Sequence, residues 1–417
     1  MEVITTFKNK AGEKLNSTRW KFRMTPMRWV FMAIAAAALA VIIVRFILGL
    51  GATTNLNDQW PWGLWISFDV LLGVALAGGG YGTALIVYVL RRDKFYPIAR
   101  SAMVTSLLGY IVVVLGLLIE VGQWFFFWRP YVSWGHASVL FEVFWCISCY
   151  TVIQILEFSE VATEKVFKGA HKYLKKAMPV LLIVGITLPT LHQSSLGQLF
   201  YIMVGKVNVL WWSPLLPVFF LLSSFFVGAG MIIIESSLAG KALNHQVDTS
   251  VLRGLVRISG GAMILYLILK IADMSVRGTF AHAFAFDLPS MMFLSELVLG
   301  CILPIIIAFS SLSSTRKGLI GFGILTVAGV VMNRFDVLFT GMGSYLNQYG
   351  GHYFPAWTEI IVSLGLVSIA CLAYLFIAEN FNILWHHKSE SVEGKGTSGD
   401  AVKQAALPNC HESQAGK

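Results

Sequence analysis

The residues of this sequence that could do chemistry are ionisable side chains lodged inside long apolar runs. Asp69 ends the stretch Pro61-Trp62-Gly63-Leu64-Trp65-Ile66-Ser67-Phe68-Asp69, and Glu142 follows His136-Ala137-Ser138-Val139-Leu140-Phe141. Arg45, Glu120, His192, Lys270, Asp273, Glu296, Arg334, Asp336 and Glu359 lie in or at the ends of other apolar runs. A charge at the centre of a membrane helix costs roughly 2.5–3.5 kcal/mol on insertion scales. A carboxylate held in apolar surroundings can take up and release protons, which is relay chemistry. All these groups fall toward the same end of their runs, which points to a polar cavity or proton path opening on one side. Snorkelling and structural ion pairs account for Arg45, Asp273, Asp336 and Glu359 at least as well. Asp69 and Glu142 are short or deep, with apolar neighbours, and are the stronger functional candidates. Lys270 and Glu296 divide evenly between the two readings. Glu157, Glu160, Glu164, Glu235 and Glu379 sit at the opposite ends, beside Lys-rich connections, and read as ordinary interfacial residues.

Other chemistries find less support. Cys146-Ile147-Ser148-Cys149 has CxxC spacing, but no second pair accompanies it, so no metal or redox site is expected. His136, His171, His245, His282, His352, His386, His387 and His411 fall in loops, at ends or in the tail, and only His192 approaches a helix interior. A bis-histidine haem b needs axial ligands from facing helices, so haem is not expected. His136 reads either as a solvated interfacial residue or as part of an outer pocket with Glu142. The cluster Ala75, Ala77, Gly78, Gly79, Gly80 and Gly82 follows no strand, so it is no nucleotide loop. It would allow close helix approach or leave room for a flat ligand.

The elements that must position these groups are membrane helices. The chain has 417 residues, of which 56% are hydrophobic and 13% charged, with a mean hydropathy of +0.71. Soluble domains carry about 25% charged residues. A chain this apolar needs a bilayer rather than a polar shell of its own. Apolar runs fall at 27–50, 63–90, 101–126, 138–161, 177–193, 211–239, 251–272, 290–312, 318–339 and 357–384. Most approach the ~20 residues that span a bilayer, and the fifth is the shortest. Of the 31 Lys and Arg residues, 25 fall in one set of alternate connections and three (Arg129, Lys206, Arg277) in the other. That alternation supports ten spans with both termini cytoplasmic. It also accounts for the net charge of +9 without nucleic-acid binding. The expected organisation is all-α: a cytoplasmic segment over 1–26, a membrane domain over 27–387 and a disordered cytoplasmic tail over 388–417. No signal-peptide pattern is present. Trp60, Trp62, Trp65, Trp124, Trp128, Trp134, Trp211, Trp212 and Trp357 suit an aromatic belt at the outer interface. No internal repeat is evident.

The run Pro61–Tyr81, followed by His136-Ala137-Ser138-Val139-Leu140-Phe141-Glu142-Val143-Phe144-Trp145, resembles the polysulfide-reductase/NrfD family of membrane subunits. The resemblance covers nearly the whole chain and is nearest to the hydrogenase branch. It implies an inner-membrane subunit with no permanently bound cofactor. Menaquinone would be its substrate, bound near the periplasmic face. Electrons would come from a periplasmic ferredoxin-type iron–sulfur subunit, fed by the large and small subunits of a nickel–iron hydrogenase. Carried onto this chain, the resemblance implies a pocket framed by the first four helices and lined by Trp62, Gly63, Asp69, Gln123, His136 and Glu142. Asp69, Glu120, Glu142, Lys270, Glu296 and Asp336 would move protons. Few deep acids are visible on the cytoplasmic half, which weakens a simple continuous path across the membrane. Two other readings stay open. A secondary transporter would show matched broken helices in two halves, and none are evident. A passive anchor would gain nothing from the surplus buried charge.

Overall fold

A computed structural model describes residues 2–8, 14–60, 62–165, 168–243, 247–381 and 383. Pro61, Cys410, His245, His386, His387, His411 and the tail expected to be disordered over 388–417 lie outside the described residues. Among the described residues, ten helices are long and apolar enough to cross a membrane. They are α1 (Pro26–Leu48), α2 (Ile66–Val89), α3 (Asp93–Glu120), α4 (Val139–Glu164) and α5 (His171–Tyr201). The others are α6 (Leu216–Ala242), α7 (Thr249–Val276), α8 (Leu288–Phe309), α9 (Arg316–Tyr349) and α10 (Trp357–Asn380). The all-α expectation holds for the membrane domain.

Four elements depart from the sequence reading, one of them α9, which runs ten residues past its apolar run to Tyr349. The segment before α1 forms an antiparallel hairpin of β1 (Glu2–Lys8) and β2 (Lys14–Lys21). Helix α3 begins eight residues earlier than its apolar run, because Pro97 suits a first turn and Arg100 pairs with Glu164 at 2.9 Å. Helix α5 is 31 residues long rather than the shortest, and runs on through Pro179 and Pro189. Charged and polar residues at both of its ends hide that length from a hydropathy reading.

Local signals set several starts. Pro26, Pro97, Pro217 and Pro289 occupy first-turn positions, where the missing N–H costs nothing. Asp287 caps α8 by accepting from the Ser290 N–H at 2.9 Å. That bond, and one from the same residue's hydroxyl, hold the Asp287 carboxyl below its ordinary value. A depressed carboxyl contributes stability above its unfolded value and loses it as pH falls through the folded one. Asp287→Ala is therefore expected to speed amide exchange in the first turn of α8, relative to intrinsic rates. Wild type should show the same acceleration only in acid. Equal exchange in the two proteins at neutral pH would show that the cap does not matter.

Helices α2 and α6 form the centre. Gly78 and Gly79 on α2 lie against Ser224 and Gly228 on α6 so closely that a Cβ on Gly228 would overlap the Gly79 backbone. The glycine cluster thus serves helix approach, at least at these positions. Gly300 of α8 and Gly329 of α9 meet in the same way. Helix α1 packs chiefly on α10, and the hairpin clasps the same end. There the Lys21 N–H donates to Asn380 at 2.7 Å, and Arg28 and Glu379 form a buried pair at 2.6 Å. Helices α2, α8 and α9 contain π-wound turns at Ile66–Leu72, Leu85–Val89, Val298–Ile302 and Asp336–Met342. With these helix bounds, the Lys/Arg-rich connections gather at one end of the bundle, the basic end, and the poor ones at the other.

Candidate functional site

At the Lys/Arg-poor end, three carboxylates from three helices converge on the start of α2. Asp69 sits in the π-wound first turns of α2, where extra width redirects a side chain. It is 1% exposed. Its Oδ2 accepts from the Ser363 hydroxyl of α10 at 3.2 Å, and its Oδ1 has no partner. Gly116 of α3 lies against it, and a Cβ there would come 2.7 Å from the Asp69 Cβ. Glu120, the last residue of α3, accepts the Gly63 N–H at 2.8 Å through Oε1, while Oε2 has no partner. Asp69 and Glu120 are near enough to interact electrostatically, as are Glu120 and Glu359. Glu359, in the first turn of α10, accepts the N–H groups of Asn55 at 2.9 Å and Ala356 at 3.0 Å. It also accepts the Tyr353 hydroxyl, which in turn accepts the Leu64 N–H at 2.8 Å. Burial, and then the bond to Glu359, push the Tyr353 phenol above its usual range, so it remains a donor.

Tyr353 also faces a cavity of about 640 Å³ lined by Asn55, Leu56, Trp60, Phe339, Asn347, His352, Tyr353 and Phe354. Three of its rings are stacked. Trp60 and Tyr353 are 5.7 Å apart at 22°, Phe339 and Tyr353 5.7 Å at 13°, and Trp60 and Phe339 6.4 Å at 17°. The lining holds amides, aromatic rings and one histidine but no Lys, Arg, Asp or Glu, which suits a flat, neutral, partly polar molecule. The volume lies within the usual ~300–1,000 Å³ of small-molecule pockets.

The structure divides the residues singled out from the sequence. Gly63, Asp69 and Glu120 come together, with Glu359 beside them. Gly63 is buried, 3.1 Å (measured to an added Cβ) from the Tyr353 hydroxyl. Trp62 turns its ring edge-on to Phe200 of α5 at 5.7 Å. Glu142 lies on α4 and accepts the Ser195 hydroxyl of α5 at 2.6 Å. Gln123 and His136 are exposed in the aromatic-rich connection between α3 and α4, where His136 is 5.6 Å from Trp134. None of the six expected pocket residues lines the cavity, although Gly63 lies against two that do, Leu56 and Tyr353. Tyr353, Phe339, Asn55 and Asn347 went unrecognised. For Asn347 and Tyr353 the signal was a stretch over 340–356 without Lys or Arg, rich in Tyr and Gly, and nothing in the sequence singled out Asn55 or Phe339.

Lys270, Glu296 and Asp336 belong to α7, α8 and α9. Glu296 accepts Trp211 Nε1 at 2.9 Å and Asn333 Nδ2 at 2.8 Å. Arg334 donates to Asn333 Oδ1 and to the Ser223 hydroxyl, both at 2.6 Å, and lies 3.7 Å over the Phe220 ring. The Lys270 ammonium lies over the Phe219 and Phe293 rings at 5.1 and 5.3 Å. Asp336 Oδ1 accepts from Thr340 at 3.2 Å, and Oδ2 has no partner. Not all carboxylates at the basic end are interfacial, contrary to expectation. Glu157 is 6% exposed and Glu235 8%. Glu235 accepts Thr105 at 2.5 Å and Tyr374 at 2.7 Å, so helix packing encloses it.

Residues 52–344 match the family described as "Polysulphide reductase, NrfD". A Nitratidesulfovibrio vulgaris chain named only "Protein" is 36% identical over 377 residues, covering 88% of this chain and 96% of its own length. The "Probable Ni/Fe-hydrogenase 2 b-type cytochrome subunit" of Escherichia coli K12 is 32% identical, covering 85% and 91%. The "Menaquinone reductase, integral membrane subunit" of Nitratidesulfovibrio vulgaris is 27% identical, covering 78% and 83%. A b-type cytochrome implies haem, and the described residues do not fit a bis-histidine haem. Among them His192 is the one histidine buried within a span, and no second histidine faces it. Its nearest ring neighbour is Tyr110, at 6.1 Å.

Proposed function

The chain belongs to the polysulphide reductase NrfD family, and from that premise we propose that it is the quinone-reactive membrane subunit of a respiratory hydrogenase. Menaquinone enters the cavity at the Lys/Arg-poor end, which faces the periplasm, with both termini cytoplasmic as the basic connections favour. A periplasmic ferredoxin-type iron–sulfur subunit, itself reduced by the hydrogenase large and small subunits, delivers two electrons. Two protons join them to give the quinol. If the protons come from the cytoplasm, turnover conserves energy.

The observation that supports this reading is the stacked Trp60, Tyr353 and Phe339 cradle. It lies one hydrogen bond from Glu359 and one loop from Glu120 and Asp69. Aromatic faces hold a quinone ring, and Tyr353 sits where a carbonyl oxygen could accept its hydroxyl. The nearby carboxylates can relay protons in a site shielded from bulk water. A transporter gains nothing from the geometry. Helix α2 breaks at a single turn, Ala77–Gly78, while α9 runs on through its π-wound turn, so the described residues hold no matched pair of interrupted helices such as that class uses.

The test is reconstitution of the chain with its co-purifying partners and assay of hydrogen-dependent reduction of a menaquinone analogue. Trp60→Ala should raise KM for the quinone roughly tenfold, equivalent to about 1.4 kcal/mol. Loss of stacking weakens binding of substrate and transition state alike, so kcat should change little. If the complex reduces the analogue equally well without this chain, the reading is wrong. If Trp60→Ala leaves KM unchanged, the quinone binds elsewhere.

A further inference from the structure

Besides those of Asp69 and Glu120, seven buried side-chain nitrogen and oxygen atoms of α2–α5 have no hydrogen-bond partner among the described residues. They are Thr83 Oγ1, Tyr110 OH, Gln154 Oε1, both ring nitrogens of His192 and both amide atoms of Gln193. His192 and Gln193 are 0% exposed, Tyr110 1% and Gln154 3%. A buried polar group without a partner costs roughly 1–3 kcal/mol, and native interiors rarely tolerate several together. Groups of this kind, stacked along one bundle, call for ordered water as their partner.

Three of these residues, Tyr110, Gln154 and His192, fall in a column with Tyr150 and Glu157. Tyr150, Gln154 and Glu157 stand at spacings of four and three on one face of α4. Gln154 donates to the Ser106 hydroxyl of α3 at 2.5 Å. The rings of Tyr150 and Tyr110 meet edge-to-face at 4.5 Å, and Tyr110 lies 6.1 Å from the His192 ring. One turn beyond His192, Ser195 donates to Glu142 at the Lys/Arg-poor end. Glycines make room: Gly185 lies against the Glu157 carboxylate, and Gly80 against Ser106. At the basic end, Glu160, Glu164 and His171 bring their side-chain acceptor atoms within 4.8 Å of one another while only partly buried. These three partly exposed proton acceptors, of which Glu160 and Glu164 lie one and two turns along α4 from Glu157, can collect protons from solution. Glu164 is also paired with Arg100.

We propose that Glu157, Gln154, Tyr150, Tyr110 and His192, with the water they hold, form a proton path from the basic end of the α2–α5 bundle to its opposite half. The path rests on the quinone-reducing reading and carries protons from the basic end toward the half of the membrane in which that chemistry consumes them. For each quinone, two protons enter at Glu157 from the cytoplasm and two electrons arrive from the iron–sulfur partner. Each hop passes a proton from one O–H or N–H to the next acceptor. Gln154 holds water in line, and His192 accepts at one ring nitrogen and releases from the other. Ser195 and Glu142 receive the proton on the far side.

The whole complex would be reconstituted into liposomes with a pH-sensitive dye confined to the compartment facing the basic end. Hydrogen-driven reduction of a menaquinone analogue would be followed alongside the dye. Wild type should withdraw about two protons from that compartment per quinone reduced. Glu157→Gln and His192→Phe should each abolish that withdrawal and slow reduction at least tenfold. Uptake by wild type solely from the opposite compartment would overturn the path and leave the quinone reading intact, and this needs no variant. Wild-type rates and uptake in both variants would also overturn it. Absence of any quinone reduction by the wild-type complex would instead remove the functional reading on which the path rests.

Discussion

Asp69→Asn is expected to lower quinone reduction by about 10²-fold or more while leaving KM for the quinone near its wild-type value. Positioned proton transfer contributes roughly 10²–10⁴-fold to such reactions. Asn matches Asp in volume, so the close fit against Gly116 survives, as does the contact with Ser363. What is lost is a group able to take up and release a proton. Asp69 lies outside the cavity lining, so binding should be spared and kcat should carry the effect. Full turnover in Asp69→Asn would move the relay to Glu120 and Glu359, whose bonds to Gly63, Asn55 and Tyr353 do not involve Asp69. Retention of proton translocation in a combined Asp69→Asn, Glu142→Gln variant would remove both carboxylates from the proton route.

Gly228→Leu should have the largest effect on the fold. Its Cβ would occupy the position of the Gly79 backbone, 2.8 Å from the Gly79 Cα. Backbone cannot step aside as a flexible side chain can. Helices α2 and α6 would have to separate, and Ser224 would lose its 2.6 Å bond to Tyr81. Overpacking typically costs about 1–3 kcal/mol, and occasionally more where backbone must move. We expect little folded protein to be recovered in mild detergent, with a melting temperature well below wild type for what remains. Gly261→Ala on α7 is the control. Nothing lies within 4 Å of a Cβ there, so its melting temperature should match or exceed wild type. Similar melting of the two variants would show that α2 and α6 do not depend on close approach.

Only the carboxylate side of the candidate site was legible before any coordinates; the cavity lining was not. Asp69 and Glu120 stand out by residue type and apolar context, and Gly63 by the family resemblance, and the three gather at the start of α2. Gln123 and His136 were drawn from the same stretch of chain yet lie exposed in a connecting loop. Proximity in sequence to a motif says nothing about the direction in which a loop leaves it. Glu359 was weighed as a structural residue and is the most fully bonded of the three carboxylates. His192 stands in the sequence among the ionisable groups of the apolar runs and as the one histidine near a helix interior. Its unpartnered nitrogens became visible when α3, α4 and α5 were placed side by side.

By itself the sequence determined the ten spans, the even alternation of basic and neutral connections, and the family. Each depends on quantities read along one dimension: the length of an apolar run against the thickness of a bilayer, and the count of Lys and Arg between runs. Tertiary structure alone decided which polar groups meet. Asn55 and Glu359, 304 positions apart, share a hydrogen bond, and Trp60 stacks on Tyr353 across a gap of nearly three hundred residues. Helices that are apolar on every side carry little sequence signal for their neighbours, because lipid and protein interior are equally good surroundings for a Leu side chain. Close glycine contacts and buried hydrogen bonds set the arrangement, and each needs a partner from elsewhere in the chain.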